Sequence, residues 1–445
     1  MELARALNPR SWLLGDARGK EALRIAWQRA APGLVSFSVL LVDGLAGGAY
    51  LPRTWRLTTF ALLAFALAAL VGRSRIALTW IERWFLVLLA ALTSWTALST
   101  LWSDTPPTSV LEGERAIVYL AGAGALLLAV ERRSLFSLLA GALVGVTSAA
   151  GYGLATYVLF DHALNPIEGK LLFEPLGYAN ALGIYAAIGI LLAVGLALAV
   201  RRWGARAAFL APVPILVTAL YLTSSRAAWL ALAVGLATLV RFGRPLPRKL
   251  TAALALGALL AVAVVAVAVS RQEHGVVPSL VGANRPHYWH VAWRETKQNP
   301  VLGSGAGTFD RYWLLYRPVS SFARDAHSLY LETLAELGPP GLLLLLSTLG
   351  LPLLVLRGRR DPLLATAAGG YVAFLVHAGV DWDWELPAVT LAGLICGSSL
   401  LVAARGSDAP PLRPWGRLLL LMPAVALAVL ALVRLKTGPH LPFSQ

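Results

Sequence analysis

Apolar runs separated by short polar breaks repeat along almost the whole chain. Crossing about 30 Å of hydrocarbon takes roughly 20 apolar residues in a helix. Runs of that kind fall at about 31–50, 56–72, 84–102, 115–130, 135–160, 176–200, 207–223, 226–240, 250–269, 338–356, 362–380, 386–404 and 416–434. They predict an all-α polytopic membrane protein of about 12–13 transmembrane helices with a large helical extracytoplasmic loop. Two places are weaker than the rest. The first run contains Asp43 and many small residues, and the pair at 207–240 is short and tightly joined.

One interruption breaks this rhythm. Residues 270–337 hold four of the seven histidines, seven Lys or Arg and six Asp or Glu, more than a connector between spans requires. The chain therefore divides into an N-terminal segment (1–30), a first bundle of about nine spans (31–269), the loop (270–337) and a second bundle of three or four spans (338–445). Inside the loop, Pro286 predicts a helix start, and the helix should run to Gln298 before Asn299-Pro300 ends it. Tyr288, Trp289, Ala292 and Trp293 are expected to face inward, with Arg294, Glu295 and Lys297 in solvent. Gly303-Ser304-Gly305-Ala306-Gly307 lacks the strand before and helix after that a nucleotide loop needs, so it reads as a close-packing turn. Asp325 is expected to cap a second helix that carries His327, Tyr330, Leu331 and Leu334 on one face and Ser328, Glu332 and Glu336 on another. Gly338-Pro339-Pro340 should stop it.

Composition agrees with the pattern: 58% of residues are hydrophobic, 14% are charged and mean hydropathy is +0.68. A net charge of +15 raises the question of nucleic acid, but the basic residues punctuate apolar runs rather than forming a stripe with aromatics, so no nucleic-acid partner is expected. Placing the N-terminus inside puts 24 of the 38 Lys and Arg in short cytoplasmic segments, and the loop and the tail then lie outside. The single cysteine, Cys396, rules out an internal disulfide. The first 30 residues are polar and basic, so no cleavable signal peptide is expected.

Few residues suggest chemistry individually. Arg226 follows Ser224-Ser225 at the expected outer end of a span, where a helix N-terminus and a guanidinium together suit phosphate oxygens. Asn180 sits at an outer helix start, and His377 and Asp381, four apart, precede Trp382-Asp383-Trp384-Glu385 at another. His287 and His290 read as surface residues, since no third ligand accompanies them.

In order, these pieces resemble the O-antigen ligase and O-antigen polymerase superfamily of bacterial membrane glycosyltransferases. The resemblance is carried by Asn180, Thr223-x-Ser225-Arg226, Arg285 with Trp289 and Trp293, and Pro300-Val301-Leu302-Gly303-x-Gly305-x-Gly307-x-Phe309. It continues in Ala326-His327-Ser328-x-Tyr330-Leu331-Glu332, Glu336-Leu337-Gly338, Val376-His377, Val380-Asp381 and Pro387. Ser328 departs from it, because the family usually has Asn after the histidine.

The resemblance implies transfer of a glycan from a polyprenyl-pyrophosphate carrier to a sugar or lipid acceptor, outside the cytoplasmic membrane, with inversion and without metal or any cofactor. It implies His327 and Arg285 as catalytic residues. Arg226, Asn180, Asp325, Tyr330, Glu332, His377 and Asp381 would bind pyrophosphate or glycan. Ligase and polymerase differ in acceptor, and both remain open at this stage. The rival from another class is a transporter or flippase for lipid-linked sugars, with His377, Asp381 and Asp383 in a polar pathway.

Overall fold

The computed structural model describes residues 17–160, 165, 168–245, 252–257, 259–260, 263, 284–406 and 409–437. Fifteen helices are described in full: α1 Ala17–Leu45, α2 Pro52–Gly72, α3 Trp80–Leu98, α4 Pro106–Ala129, α5 Leu135–Leu159, α6 Ala179–Ala199, α7 Trp203–Leu210, α8 Val213–Leu222, α9 Arg226–Phe242, α10 Arg285–Gln298, α11 Phe309–Tyr316, α12 Leu329–Leu354, α13 Pro362–Ala378, α14 Pro387–Ala404 and α15 Pro414–Thr437. Among the described residues the only β pairings are two isolated bridges, Ala77 with Pro411 and Asn165 with Gly169. Eight of the helical segments are long and apolar enough to cross a membrane, and α13 is apolar but shorter. The protein is thus a multi-pass all-α membrane protein. Twelve of the thirteen predicted runs coincide with described helices, while the run at 250–269 lies largely outside the described residues. The run at 207–223 is broken into α7 and α8 at Ala211 and Pro212.

Helices α6 and α14 form the centre. Their most apolar stretches are 89% and 94% buried, as expected of helices that are hydrophobic on every side. Small residues allow this density in the absence of a hydrophobic driving force between helices. Gly183 of α6 packs on Ser225 and Ala228, and Gly235 of α9 meets Gly369 of α13 backbone to backbone. By contrast, α15 is only 11% buried, with its apolar surface turned outward to where lipid would lie. It is pinned to the bundle by Glu114, which holds both Arg434 (2.7 Å) and Arg56 (2.8 Å).

The connectors sort onto two opposite ends of the bundle, as the alternation of spans requires. At one end Arg405 grips Glu82 (2.6 Å) and the Leu127 carbonyl, Arg73 pairs with Glu131, and Arg417 donates to the Ser74 carbonyl. At the other end lie Tyr50, Asp104, Tyr178, the Ser225–Arg226 turn, residues 284–328 and the α13–α14 junction. Tyr312 donates to Asp104 (3.0 Å), and the Ala306 N–H donates to Ser99 (3.0 Å).

At this end the described part of the loop folds over a small core of its own, built from Tyr288, Val291, Ala292, Phe309, Tyr312, Trp313, Ala323, Ala326 and Ala335. Two expectations for α10 are corrected here. Trp293 is 51% exposed, and Glu295, expected in solvent, is fully buried. The inward stripe runs through Tyr288, Val291, Ala292 and Glu295 rather than through the tryptophans. Glu295 belongs on it because it accepts hydrogen bonds from Ser304 (2.6 Å) and Thr308 (3.1 Å) of the glycine-rich turn.

That turn is the close-packing element expected. A Cβ on Gly303 would lie 2.3 Å from the backbone of Glu336, and one on Gly305 2.4 Å from Ser103. Both glycines also have positive φ, which other residues rarely adopt. Glu336 in turn accepts from the N–H groups of Gly307 (2.8 Å) and Phe309 (3.0 Å). Gly338 (φ 67°) interrupts α12 where the stop was expected, and the helix resumes through Pro339-Pro340.

Burial pushes the Glu295 carboxyl up to about 7 from 4.5, against the pull of its two hydroxyl donors. The folded state therefore holds more protons than the unfolded one between those values, so this group's contribution is full below pH 4.5 and is lost as pH rises towards 7. Glu295→Gln keeps the acceptor and removes the titration. It should flatten the pH dependence of the melting temperature over that window, with a change of slope of up to about 1.4 kcal/mol per pH unit. Melting of the detergent-solubilised protein across pH 4.5–7.5 checks this; an unchanged slope would mean that Glu295 titrates normally.

Candidate functional site

Five stretches far apart in the chain meet beneath the loop. The first is the start of α6. Asn180 donates to the Tyr178 hydroxyl (2.7 Å), which donates to Asp381 Oδ1 (2.9 Å). Asn180 is therefore not a helix cap but the outer member of a relay that ends on Asp381. The second is the turn before α9. Of the two candidate serines, Ser225 is the cap, accepting from the Ala228 N–H (3.3 Å), and it places Arg226 in the first turn. Arg226 Nη1 is buried without a hydrogen-bond partner.

Arg285 opens α10 with Pro286 behind it, and it is 9% exposed. Its Nη2 donates to Asp381 Oδ2 at 2.5 Å, while Asp381 Oδ1 also accepts from the Trp382 N–H (2.9 Å). Burial opposes ionisation of Asp381, but Arg285 outweighs it and holds the carboxyl below the usual range. Burial likewise opposes the charge on Arg285, and Asp381 more than restores it. The charges of Arg226 and Arg285 act on each other, so two guanidiniums share this region.

His327 lies beside them in a conformation the sequence did not suggest. The expected helix does not begin at Asp325. It begins at Leu329, capped by Ser328, and His327 sits in the preceding turn at φ 53°, the left-handed region. The turn is fixed from three sides. Glu332 accepts from the Ala326 N–H (2.7 Å), the His327 ring stacks on Tyr288 (4.7 Å), and His327 Nδ1 lies 3.0 Å from the Asp325 carbonyl. A carbonyl can only accept, so Nδ1 carries the proton and Nε2 is the basic atom. Burial first, and then Arg285, hold the imidazole below its ordinary 6.5 despite Asp381, so the ring is neutral at pH 7.

His377 and Asp381 were expected to face one way, four residues apart on a helix. Helix α13 ends at Ala378, so the two do not share one helix face, yet their side chains come within 4.8 Å of each other and of Asp383. His377 pairs with Asp383, 3.1 Å from Nδ1, and its Nε2 is buried without a partner. Tyr330 is not brought to the site. Its hydroxyl donates to the Leu375 carbonyl (2.9 Å) and its ring packs on Gly379, joining α12 to α13.

Asp325 and Glu332 face another buried group, which the sequence did not single out. Glu385 takes Arg115 Nη1 at 2.8 Å and a hydrogen bond from Asp325, while Arg115 also pairs with Glu112. Burial and Glu385 raise the Asp325 carboxyl well above its usual range. Glu385 stays ionised below its own range because its two arginine neighbours, Arg115 and Arg324, outweigh its burial. The proton between them therefore resides on Asp325. Arg324, from the same turn, donates to the Tyr50 hydroxyl (2.9 Å). A charged residue inside an apolar run, such as Arg115, was the available signal.

Two carboxyl groupings are tight enough to share an ion: His377, Asp381 and Asp383, and Asp325, Glu332 and Glu385. Asp381 is already committed to Arg285, Tyr178 and the Trp382 N–H, and Glu385 to Arg115 and Asp325. In the first grouping His377 Nε2 and one Asp383 oxygen are buried without a hydrogen-bond partner. Residues 211–346, which contain Arg226, Arg285 and His327, match the family model described as O-Antigen ligase. No curated protein matches the chain.

Asp381→Leu leaves Arg285 buried with its main partner gone and should cost about 3–5 kcal/mol. The double variant Arg285→Met/Asp381→Leu removes both charges and should recover most of that loss. Thermal melts of the purified single and double variants measure the coupling; additive losses would mean that the two side chains do not interact.

Proposed function

Taking residues 211–346 as an O-antigen ligase domain, we propose that the protein transfers a glycan from a polyprenyl-pyrophosphate carrier to a sugar or lipid acceptor. The reaction takes place on the outer face of the cytoplasmic membrane and needs no cofactor. The observation that carries this reading is the pairing of two guanidiniums, Arg226 and Arg285, with a neutral buried histidine whose Nδ1 is committed to a carbonyl. Ligation and polymerisation use this same chemistry and differ only in the acceptor.

The step is a single displacement. His327 Nε2 takes the proton of the acceptor hydroxyl as its oxygen bonds to the anomeric carbon. The bond from that carbon to the pyrophosphate oxygen breaks, and the carrier pyrophosphate leaves with the electron pair. Attack from the face opposite the leaving group inverts the anomeric centre without a metal. Arg226 and Arg285 neutralise the charge that grows on the leaving oxygens, which planar guanidiniums do bidentately. Asp381 does not touch substrate in this scheme; it positions Arg285, with Tyr178 and Asn180 behind it. Polar groups gathered at one end of the bundle favour a surface reaction over a transport path, which would place them near mid-membrane.

In purified enzyme normalised to monodisperse protein, His327→Ala should lower transfer by about 10²–10⁴ while donor binding survives. Arg226→Lys and Arg285→Lys should impair both, because a point charge does not replace a fork. Since neutral His327 is the active form, the rate should fall only as pH drops below 6.5, the ordinary imidazole value. Near-normal transfer by His327→Ala would remove it from the mechanism.

Placement of the loop outside the cell follows from the charge bias. In a Cys396→Ala background, an impermeant thiol reagent applied to intact spheroplasts should label cysteine introduced at exposed Ser320 of the loop or at Ser444 and spare one at Ser407. The reverse pattern would invert the topology.

A further inference from the structure

A cavity that opens to the surroundings, with about 990 Å³ of empty space when that open part is included, lies between α3, α4, α12, α13 and α14. None of Arg226, Arg285, His327 and His377 lines it. Its upper end is polar, with Glu112, Arg115, Glu332, Glu336 and Glu385, and its depth is apolar, with leucines such as Leu92 and Leu345. Along α12 the lining runs from Leu329 to Leu349 on both sides of the break at Gly338; the part after the break, to Leu349, rises roughly 15 Å at 1.5 Å per residue, about half of a bilayer's hydrocarbon thickness. The threonines in its wall do not make it polar. Thr93, Thr96 and Thr348 each donate to a carbonyl one turn back in their own helix, leaving their methyl groups to face a ligand.

The upper end cannot attract a phosphate. Arg115 is its only basic group, and both arms of that guanidinium are held by Glu112 and Glu385. What it offers instead is carboxyl oxygens and one buried indole N–H without a partner, that of Trp384. Carboxyl oxygens accept from hydroxyls, and an indole N–H donates to a hydroxyl oxygen. The same end touches the turn before His327, because Glu332 holds the Ala326 N–H and Glu385 holds Asp325.

We propose that this cavity binds the acceptor of the transfer reaction, an amphiphile with an apolar chain and an uncharged, hydroxyl-bearing sugar head. The chain lies along α12, and the head rests on Glu332, Glu385 and Trp384, at the Asp325–Ala326 turn that leads into His327. This rests on the transferase reading above, and it completes the reaction geometry. An inverting displacement needs acceptor and leaving group on opposite sides of the reacting carbon. The donor's pyrophosphate is drawn to Arg226 and Arg285, and the acceptor arrives from the carboxyl-lined side of the His327 turn.

The test uses the full-length protein in nanodiscs and a neutral glycolipid, a diacylglycerol glucoside with a diazirine in its acyl chain. Irradiation should label the segments around Leu89–Thr96 and Leu345–Leu349. Excess unlabelled glucoside should compete, and an alkyl pyrophosphate should not. Leu92→Trp and Leu345→Trp, each checked for monodispersity, should lower labelling and raise the KM for acceptor about tenfold or more with the donor KM unchanged. Displacement of the label by the alkyl pyrophosphate would overturn the proposal and give the cavity to the carrier lipid. Labelling spread evenly over outward-facing α15, untouched by the Trp variants, would reduce it to bulk lipid. Labelling is read without turnover, so the two readings fail separately. Cavity labelling in a protein that transfers to no acceptor defeats the transferase reading and the acceptor role but leaves a neutral-glycolipid site.

Discussion

Asp381 holds the loop-bearing end of this molecule together. Its two oxygens receive Arg285 from α10, the Tyr178 hydroxyl from the start of α6, and the N–H of Trp382. These groups come from both bundles and from the segment between them. A buried ion pair is weak evidence for stability, since desolvating two charges offsets much of their attraction. Its effect here is on register. With Asp381 placed by the α13–α14 junction, Arg285 has one position in which its charge is compensated, and α10 is thereby fixed over the bundle. The neighbouring guanidinium, Arg226, arrives separately, delivered by the Ser225 cap at the start of α9.

A second tie rests on close backbone approach. The turn at Gly303–Gly307 and the end of the first segment of α12 approach so closely that side chains on Gly303 or Gly338 would overlap the opposing main chain. Glu336 then closes the contact with three hydrogen bonds, two through its carboxyl group and one through its carbonyl to the Gly305 N–H. The loop is thus fastened to α12 on one side of His327 and, through Arg285, to the α13–α14 junction on the other. That arrangement sets a rigid roof above lipid-facing helices, with the histidine between two anchored points.

The fold was legible because lipid leaves so few options. Apolar length fixes helix number, and alternation fixes which connectors share an end. The site was legible in membership but not in wiring. Asn180, Arg226, Arg285, His327 and Asp381 do converge, yet their partners were hidden. Glu295 read as solvated because helix periodicity cannot say which of two adjacent stripes is turned inward when one is aromatic and the other ends in a carboxylate. His377 and Asp381 do come together, within 4.8 Å and with Asp383, but across a helix end capped by Gly379 rather than along one helix face. Arg115 and Glu385 pair across 270 residues; pattern reasoning along the chain does not see such distances.

His327 shows how the two ties combine. A non-glycine residue in the left-handed region costs about 1–3 kcal/mol and persists only where its surroundings over-determine it. Here Glu332, the Ser328 cap, Tyr288 and the Asp325 carbonyl all act within a few residues of the turn. The consequence is a ring set between two clusters. Arg226 and Arg285 lie with Asp381 on one side, and Asp325 and Glu385 lie with Arg115 and Arg324 on the other. In the proposed reaction the neutral imidazole between them faces the leaving group on one side and the acceptor hydroxyl on the other. Were the turn helical, as its sequence suggests, His327 would lie on a helix face and lose the carbonyl that fixes its tautomer. The strained backbone is therefore what converts an ordinary histidine into one whose Nε2 is available as a base.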